Sequence, residues 1–234
     1  MRVIQFGGHW QSAFGKFLYF LVLVVTFSVI SFAQGQHPKS GRKLAQVMGV
    51  GGADWLERAE RESEENPSRA IQLLALKPGM VVGDIGAGSG YYALRMAELV
   101  GPGGKIYAND IQPEMLAILK KRMAKNKSSN IEMVLGTERD PKLPGKSCDV
   151  LLMVDVYHEL SHPQEMLQSL RAAMKDDGRL ILLEYRKEDP YVPIRLEHKM
   201  SLKEAKLEVE AEGFVLDKVI EELPWQHIFI FKKA

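Results

Sequence analysis

The clearest chemical pattern in the sequence is an acidic residue followed by glycine at every second position. The run Asp84-Ile85-Gly86-Ala87-Gly88-Ser89-Gly90 follows an apolar segment typical of a buried strand and precedes a segment typical of a helix. Glycine has no Cβ atom, so this turn can bend sharply and its backbone can approach a ligand closely. Asp110 ends the next predicted strand, where a carboxylate can accept hydrogen bonds from a ribose. The pattern predicts a nucleotide site.

The spacing of the glycines distinguishes between two kinds of nucleotide cofactor. A dinucleotide fingerprint, G-x-G-x-x-G, needs a small residue three positions after its second glycine, because the helix and strand pack closely there. Counted from Gly86 and Gly88, that position holds Tyr91, and Gly83 cannot restore the spacing. The turn therefore fits a dinucleotide poorly.

The chain from about residue 68 to its end resembles the class I S-adenosylmethionine-dependent methyltransferases, in particular small single-domain members of the type 11 and type 25 groups. The resemblance is carried by the run GDIGAGSGYYALRMAELVGPGGKIYANDIQPEML, which matches that family's first motif, helix and second strand in unbroken register. It implies S-adenosylmethionine as the cofactor. It also implies an enzyme that transfers a methyl group to an acceptor, which we expect to be a small molecule.

The resemblance also implies roles for individual residues. The methionine part of the cofactor would be held by Asp84 and by the backbone at Gly86, Gly88 and Gly90. Asp110 would bind the ribose hydroxyls, and Ile111 would lie against the adenine. Family members often carry an aspartate after the third strand; this chain has Gly136-Thr137-Glu138 there, so Glu138 is its stand-in. Asp155, which ends the fourth predicted strand, falls where the family lines the methyl donor.

Methyl transfer needs a general base only if the acceptor arrives protonated. Candidate bases follow the fourth predicted strand at Tyr157, His158 and Glu159, and Glu184 ends the fifth. We predict His158 and Glu184 as the catalytic residues, because the ordinary pKa of histidine suits proton transfer near neutral pH. The sequence does not assign a role to His198.

Two alternatives belong to other functional classes. His158-Glu159-Leu160-Ser161-His162 matches H-E-x-x-H, the signature of a zinc hydrolase, which needs both histidines on one face of a helix. Pro163 disfavours that arrangement, because proline prefers the first turn of a helix and pushes its predecessor out of helical geometry. The other alternative is a Rossmann-like protein that binds a nucleotide without catalysing a reaction.

The predicted elements alternate between strands and helices, which is typical of a parallel sheet with helical crossovers. We predict an α/β fold: a Rossmann-like, doubly wound, seven-stranded, mostly parallel sheet with an antiparallel C-terminal strand. The predicted strands are residues 80–85, 105–109, 131–135, 149–154, 179–184, 214–220 and 228–231. The longer predicted helices are residues 91–100, 113–125, 163–174 and 201–212. In such a sheet the site lies at the carboxyl ends of the strands.

The N-terminal segment is predicted to be separate from the folded domain. Residues 17–32 carry no charge, and Ser31-Phe32-Ala33 could be cut by a signal peptidase. We therefore predict a signal peptide or membrane anchor over 1–33, a linker over 34–53 and a methyltransferase domain over 54–234. The expected location is exported, whether periplasmic or secreted, or attached to a membrane.

Composition limits the partners and the metals. The chain has 31 Lys and Arg against 30 Asp and Glu, for a formal net charge of +1. Such a balance is not typical of a surface that neutralises a phosphate backbone, so nucleic acid is not expected as substrate. The single cysteine, Cys148, cannot supply a Cys-rich metal site. Apart from the hydrolase alternative, the sequence predicts no metal ligands.

Overall fold

Mainly apolar segments form the strands of one mixed sheet, and each predicted strand overlaps a strand of the structure. The computed structural model describes residues 35–234, so the predicted signal peptide or anchor over 1–33 lies outside the described residues. The strands are β1 (Val81–Ile85), β2 (Lys105–Asp110), β3 (Ile131–Leu135), β4 (Cys148–Val154), β5 (Met174–Arg186), β6 (Lys199–Met200), β7 (Phe214–Ile220) and β8 (Gln226–Lys233).

The strand order is β3-β2-β1-β4-β5-β8-β7. β1 to β5 are parallel to their neighbours, whereas β8 is antiparallel to both β5 and β7. The predicted Rossmann-like sheet with an antiparallel C-terminal strand is thus confirmed. The predicted number of seven strands is corrected to eight. β6, which pairs with the end of β5, has two residues, too few to show any alternation of apolar and polar residues.

Between Gly35 and Ala234, seven α-helices accompany the sheet: α1 (Ala53–Leu56), α2 (Arg61–Glu64), α3 (Pro67–Leu73), α4 (Tyr91–Val100), α5 (Pro113–Asn126), α6 (Pro163–Ala173) and α7 (Leu202–Glu210). The core has two layers because successive strand residues point to opposite faces. One layer joins the sheet to α3, α4 and α5, and the other joins it to α6 and α7. None of the helices in residues 35–234 is long and apolar enough to cross a membrane.

The segment 34–53, predicted as a linker, is instead folded onto the domain from Gly35 onward. Arg42 is buried and forms a two-point ion pair with Glu208 of α7, with Nε–Oε1 and Nη2–Oε2 distances of 3.1 and 3.0 Å. Its Nη1 also donates to the carbonyl oxygen of His158, at 3.1 Å. The composition of the segment does not predict this folding, because its anchoring partner, Glu208, lies far away in the sequence.

Candidate active site

The glycine turn at the end of β1 requires glycine at each alternate position. Gly86, Gly88 and Gly90 have φ angles of 69°, 54° and 82°, in the left-handed region that other residues rarely adopt. A Cβ atom on Gly86 would lie 2.6 Å from a methyl carbon of Val156, and one on Gly90 would overlap with Leu119. The turn leads directly into α4, which Gly90 precedes.

Asp84 and Asp110 lie on one face of the sheet, at the carboxyl ends of neighbouring parallel strands. The register pairs Asp84 with Ala108, and Asp110 follows two residues later on the same side. The Oδ2 atom of Asp110 accepts from the backbone N–H of Gly88 at 2.8 Å, and its Oδ1 atom accepts from the N–H of Gln112 at 2.9 Å. The glycine turn and the second carboxylate are therefore joined, as one ligand site requires.

Burial perturbs both carboxyl groups. Asp84 is only 3% exposed, and within residues 35–234 its Oδ2 atom has no hydrogen-bond partner. Burial and the negative charge of Asp110 raise the pKa of Asp84 to about 7, against the opposing effect of the backbone N–H of Ala93. Burial also raises the pKa of Asp110, against its backbone hydrogen bonds. A buried acid without a full set of partners is costly, which marks it as a functional group.

A cavity of about 690 Å³ opens beside these residues at the carboxyl ends of the strands. Among the predicted cofactor residues, it is lined by Gly86, Gly88, Asp110, Ile111, Glu138 and Asp155. Asp84 and Gly90 are buried behind this wall, so they act by shaping and charging it. Segments 46–61 and 185–198 supply most of the opposite walls.

Glu138 and Asp155 occupy different environments. The Glu138 side chain is 60% exposed, and its carboxylate lies 3.5 Å from Nε2 of His162. Asp155 has a φ of 54°, and both of its carboxylate oxygens accept from Nε2 of Gln226, at 2.9 and 2.8 Å. Burial raises the pKa of Asp155 well above its ordinary value, and the charges of Glu65 and Glu184 add to the effect. Their contacts with the cofactor stay predictions.

His158 and Glu184, the predicted catalytic pair, are in contact. Nδ1 of His158 lies 2.5 Å from Oε2 of Glu184, and Oε1 of Glu184 accepts from the backbone N–H of Tyr157 at 2.8 Å. His158 lines the cavity, whereas Glu184 is fully buried behind it and can act only through the imidazole ring. Glu184 therefore contacts the cavity only through His158, and the catalytic role of the pair stays a prediction.

Burial also changes the proton affinity of this pair. It lowers the pKa of His158 to about 4 and raises the pKa of Glu184 to about 8. A ring with so low a pKa is neutral at pH 7 and a weak general base, because efficient bases have a pKa near the working pH. Which ring nitrogen of His158 carries the proton depends on whether Glu184 donates to Nδ1 or accepts from it.

The H-E-x-x-H alternative fails on geometry. His162 is the residue before α6, which begins at Pro163, and its φ and ψ angles of −130° and 63° are not helical. Its ring is partly exposed and lies near Glu138 and Glu165. His158 belongs instead to a short 3₁₀ turn at Tyr157–Glu159. The two histidines are therefore not on one face of a helix.

Two groups at the cavity were not predicted from the sequence. Nδ1 of His198 lies 3.1 Å from Nε2 of His158, although 40 positions separate the two residues. Arg61 also lines the cavity and pairs with Glu65, Nε to Oε2, at 2.6 Å. Glu65 accepts in addition from the hydroxyl of Tyr185 at 2.8 Å. The charge-rich run around Arg61 resembles a solvated helix, so only its position in the fold indicates a role.

Comparison with known proteins bears on this site. The family model described as "Methyltransferase domain" matches residues 76–232. The ubiquinone/menaquinone biosynthesis C-methyltransferase UbiE of Ectopseudomonas mendocina (strain ymp) is 30% identical over 118 residues, which is 50% of this chain and 46% of that protein. The chain thus matches about half the length of these curated relatives.

Solved structures agree with the family model. A SAM-dependent methyltransferase from Aquifex aeolicus is 26% identical, with a TM-score of 0.76 over 80% of this chain and 100% of that chain. The methyltransferase CalH, solved with SAH, is 20% identical and has a TM-score of 0.57 over 70% of this chain and 55% of that chain; it supports the fold alone. The comparisons support neither a hydrolase nor a non-catalytic protein. The chain belongs to the S-adenosylmethionine-dependent methyltransferases of the Methyltransferase domain family.

Proposed function

We propose that this chain transfers a methyl group from S-adenosylmethionine to a small molecule that carries a hydroxylated aromatic ring. The observation that carries the proposal is a single cavity that reaches from the glycine turn and Asp110 to His158. A cofactor at one end and an acceptor at the other would share that space. Such sharing is what a direct transfer between two bound reactants requires.

The residues at the glycine turn fit S-adenosylmethionine. Asp84 lies behind the cavity wall with an unpaired Oδ2 atom, and the positive charge of a ligand in the cavity would lower the pKa of its carboxyl group. Gly86 and Gly88 form part of the cavity wall, and neither has a side chain of its own to keep a ligand from the backbone. Asp110 and Ile111 would take the ribose and adenine.

The bound cofactor supplies an electrophilic methyl group on a sulfonium sulfur. The protein therefore has to bind the reactants, align them and exclude water. Residues of the segment 46–61 line the cavity, and the chain just before them is anchored because Arg42 is paired with Glu208. The backbone N–H of Ala45, the residue before this segment, donates to the carbonyl oxygen of His158 at 3.0 Å.

An aromatic acceptor is supported by the cavity walls and by the relatives. The cavity wall includes apolar and sulfur-bearing side chains suited to a flat apolar ring: Met48, Trp55, Leu56, Met166 and Ile194. Curated relatives at 30% identity are C-methyltransferases of ubiquinone and menaquinone biosynthesis. The segments around α1 and within 185–198 contribute lining residues to this cavity.

Two measurements on the full-length chain test the proposal. Calorimetry with S-adenosylhomocysteine should show binding in the micromolar range, and Asp110→Asn should weaken it. A transfer assay with methyl-labelled S-adenosylmethionine, screened against phenols, catechols and quinols, should label at least one of them. Asp177→Asn, which removes an exposed acid far from the cavity residues, is the matched control. Undetectable binding of the cofactor product would overturn the whole proposal. Binding without label transfer to any ring would overturn the acceptor class.

A further inference from the structure

Three potential metal ligands meet at the acceptor end of the cavity. Within the part of the chain that the structure describes, one ligand atom each from His158, Glu159 and His198 lie within 4.8 Å of one another. All three residues line the cavity. Two come from the turn after β4, and the third comes from the turn before β6, so the fold alone brings them together.

The distances between the ligand atoms suit a transition-metal ion. Nε2 of His158 and Nδ1 of His198 are 3.1 Å apart, and Oε1 of Glu159 lies 4.0 and 3.9 Å from those two nitrogens. The circle through these three atoms has a radius of about 2.1 Å, close to the metal–nitrogen and metal–oxygen bond lengths of about 2.0–2.2 Å in protein sites. A single ion fits between them with only small side-chain rotations.

The contacts behind the ligands orient them toward such an ion. Oε2 of Glu184 lies 2.5 Å from Nδ1 of His158. With an ion on Nε2, the positive charge favours the ionised form of Glu184, which then accepts the Nδ1 proton and leaves the Nε2 lone pair for the ion. A carboxylate behind a ligating histidine is the usual second layer of a metal site. Glu159 is held in turn by the backbone N–H of Met48, at 3.3 and 3.4 Å.

A hydrogen-bond network without metal explains the cluster less well. The contact between the two rings could be one hydrogen bond. However, the carboxylate of Glu159 is too far from both rings for hydrogen bonding, at 4.0 and 3.9 Å, although its side chain is only 13% exposed. Arg42, the cation next to His158, is already paired with Glu208. A cation between the three ligands would compensate the carboxylate.

We propose that His158, Glu159 and His198 bind one divalent transition-metal ion whose open positions face the cavity. Two imidazoles and one carboxylate form a donor set suited to Zn²⁺, Fe²⁺, Co²⁺ or Mn²⁺ rather than to Ca²⁺ or Mg²⁺. The second half of the inference rests on the proposed function: the ion binds the ring oxygen of the acceptor. The hydroxyl group loses its proton to solvent water, and its oxygen remains on the ion as a phenolate.

The ion would also resolve the role of His158. A ring whose Nε2 is a metal ligand does not act as a general base, and a metal ion lowers the pKa of a bound hydroxyl group without one. Glu184 then acts through His158 by fixing the ring. The predicted catalytic pair would therefore become one ligand and one positioning residue.

Metal titration of the full-length chain tests the site. The protein is stripped with a chelator, and Zn²⁺ binding is followed by competition with a chromophoric chelator and by elemental analysis. Co²⁺ is titrated in parallel, because its visible spectrum reports the coordination geometry. We expect one ion per chain in the unsubstituted protein. His198→Ala should weaken Zn²⁺ binding by at least tenfold and abolish the Co²⁺ spectrum, and Glu184→Gln should weaken it by about 10–100-fold.

His162→Ala is the matched control, because it removes a neighbouring histidine that is not among the three ligands. It should bind one ion with unchanged affinity. Equal affinities in His198→Ala and the unsubstituted protein, or substoichiometric binding in the latter, would overturn the proposed site. Calorimetry with S-adenosylhomocysteine on the same metal-free samples separates the two proposals. Cofactor-product binding without metal binding refutes the ion alone, and metal binding without cofactor-product binding refutes the methyltransferase activity alone.

Discussion

Substitution of Asp84 by asparagine should separate the stability of the protein from its ability to bind the cofactor. Burial and the charge of Asp110 raise the pKa of Asp84 from 3.8 to about 7 in the native state. Between these two pH values the folded chain keeps a proton that the unfolded chain releases. Ionisation therefore favours the unfolded chain, and the stability contributed by this group falls as the pH rises from about 4 to 7.

The size of the effect follows from the same two pKa values. A rise from 3.8 to about 7 corresponds to about 4 kcal/mol of destabilisation once the group is ionised in both states. About 3 kcal/mol of that loss lies between pH 5 and pH 8. Asp84→Asn carries no charge, so its free energy of unfolding lacks this decline. Relative to the unsubstituted protein, the variant should gain about 3 kcal/mol between pH 5 and pH 8.

Urea unfolding at pH 5 and pH 8, followed by tryptophan fluorescence, measures this difference. Other buried acids titrate in both proteins, so comparison of the two profiles isolates Asp84. Asp177→Asn removes an exposed carboxylate and should leave the profile unchanged. The same Asp84→Asn sample should bind S-adenosylhomocysteine more weakly. A constant gap between the two unfolding profiles from pH 5 to pH 8 would refute the reasoning.

Three further substitutions have outcomes that the contacts determine. Gly90→Ala should destabilise the fold by about 2–4 kcal/mol in thermal unfolding, because the new methyl group overlaps with Leu119 and φ is 82°; an unchanged melting temperature would contradict this. Glu208→Gln should lower the free energy of unfolding in urea by about 3–5 kcal/mol, because it leaves the buried Arg42 without its counter-charge. Glu98→Gln, which changes an exposed residue of α4, is the control and should have no measurable effect. Asp110→Asn should weaken S-adenosylhomocysteine binding about 10–100-fold in calorimetry, since it loses a charge-assisted hydrogen bond; equal affinities would remove Asp110 from the cofactor site.

The positions of the main strands and helices could be predicted because each has a local signal. A buried parallel strand such as β4 is a short apolar run, and α4 begins where the glycine turn ends. β6 had no such signal. The folding of residues 35–52 onto the domain could not be predicted from the sequence either, because it depends on a buried ion pair between Arg42 and the distant Glu208.

The candidate site also has a part that the sequence predicts and a part that it does not. The glycine turn and Asp110 are close in sequence, and the geometry of neighbouring parallel strands brings their ends together. Contact between His158 and Glu184 could be anticipated too, because β4 and β5 are adjacent and both residues follow or end these strands. The tertiary structure was needed to show that Glu184 is buried behind the ring and that burial lowers the pKa of His158.

By itself, the sequence determined the sheet, the cofactor turn and the family, since these depend on backbone conformation and on residues near one another in the chain. Only the tertiary structure decided what shares the cavity with that turn. His198 and Arg61 reach it from distant segments, where nothing in their local sequence distinguishes them from surface residues. Their environment is set by long-range packing, and burial and charge act through space rather than along the chain.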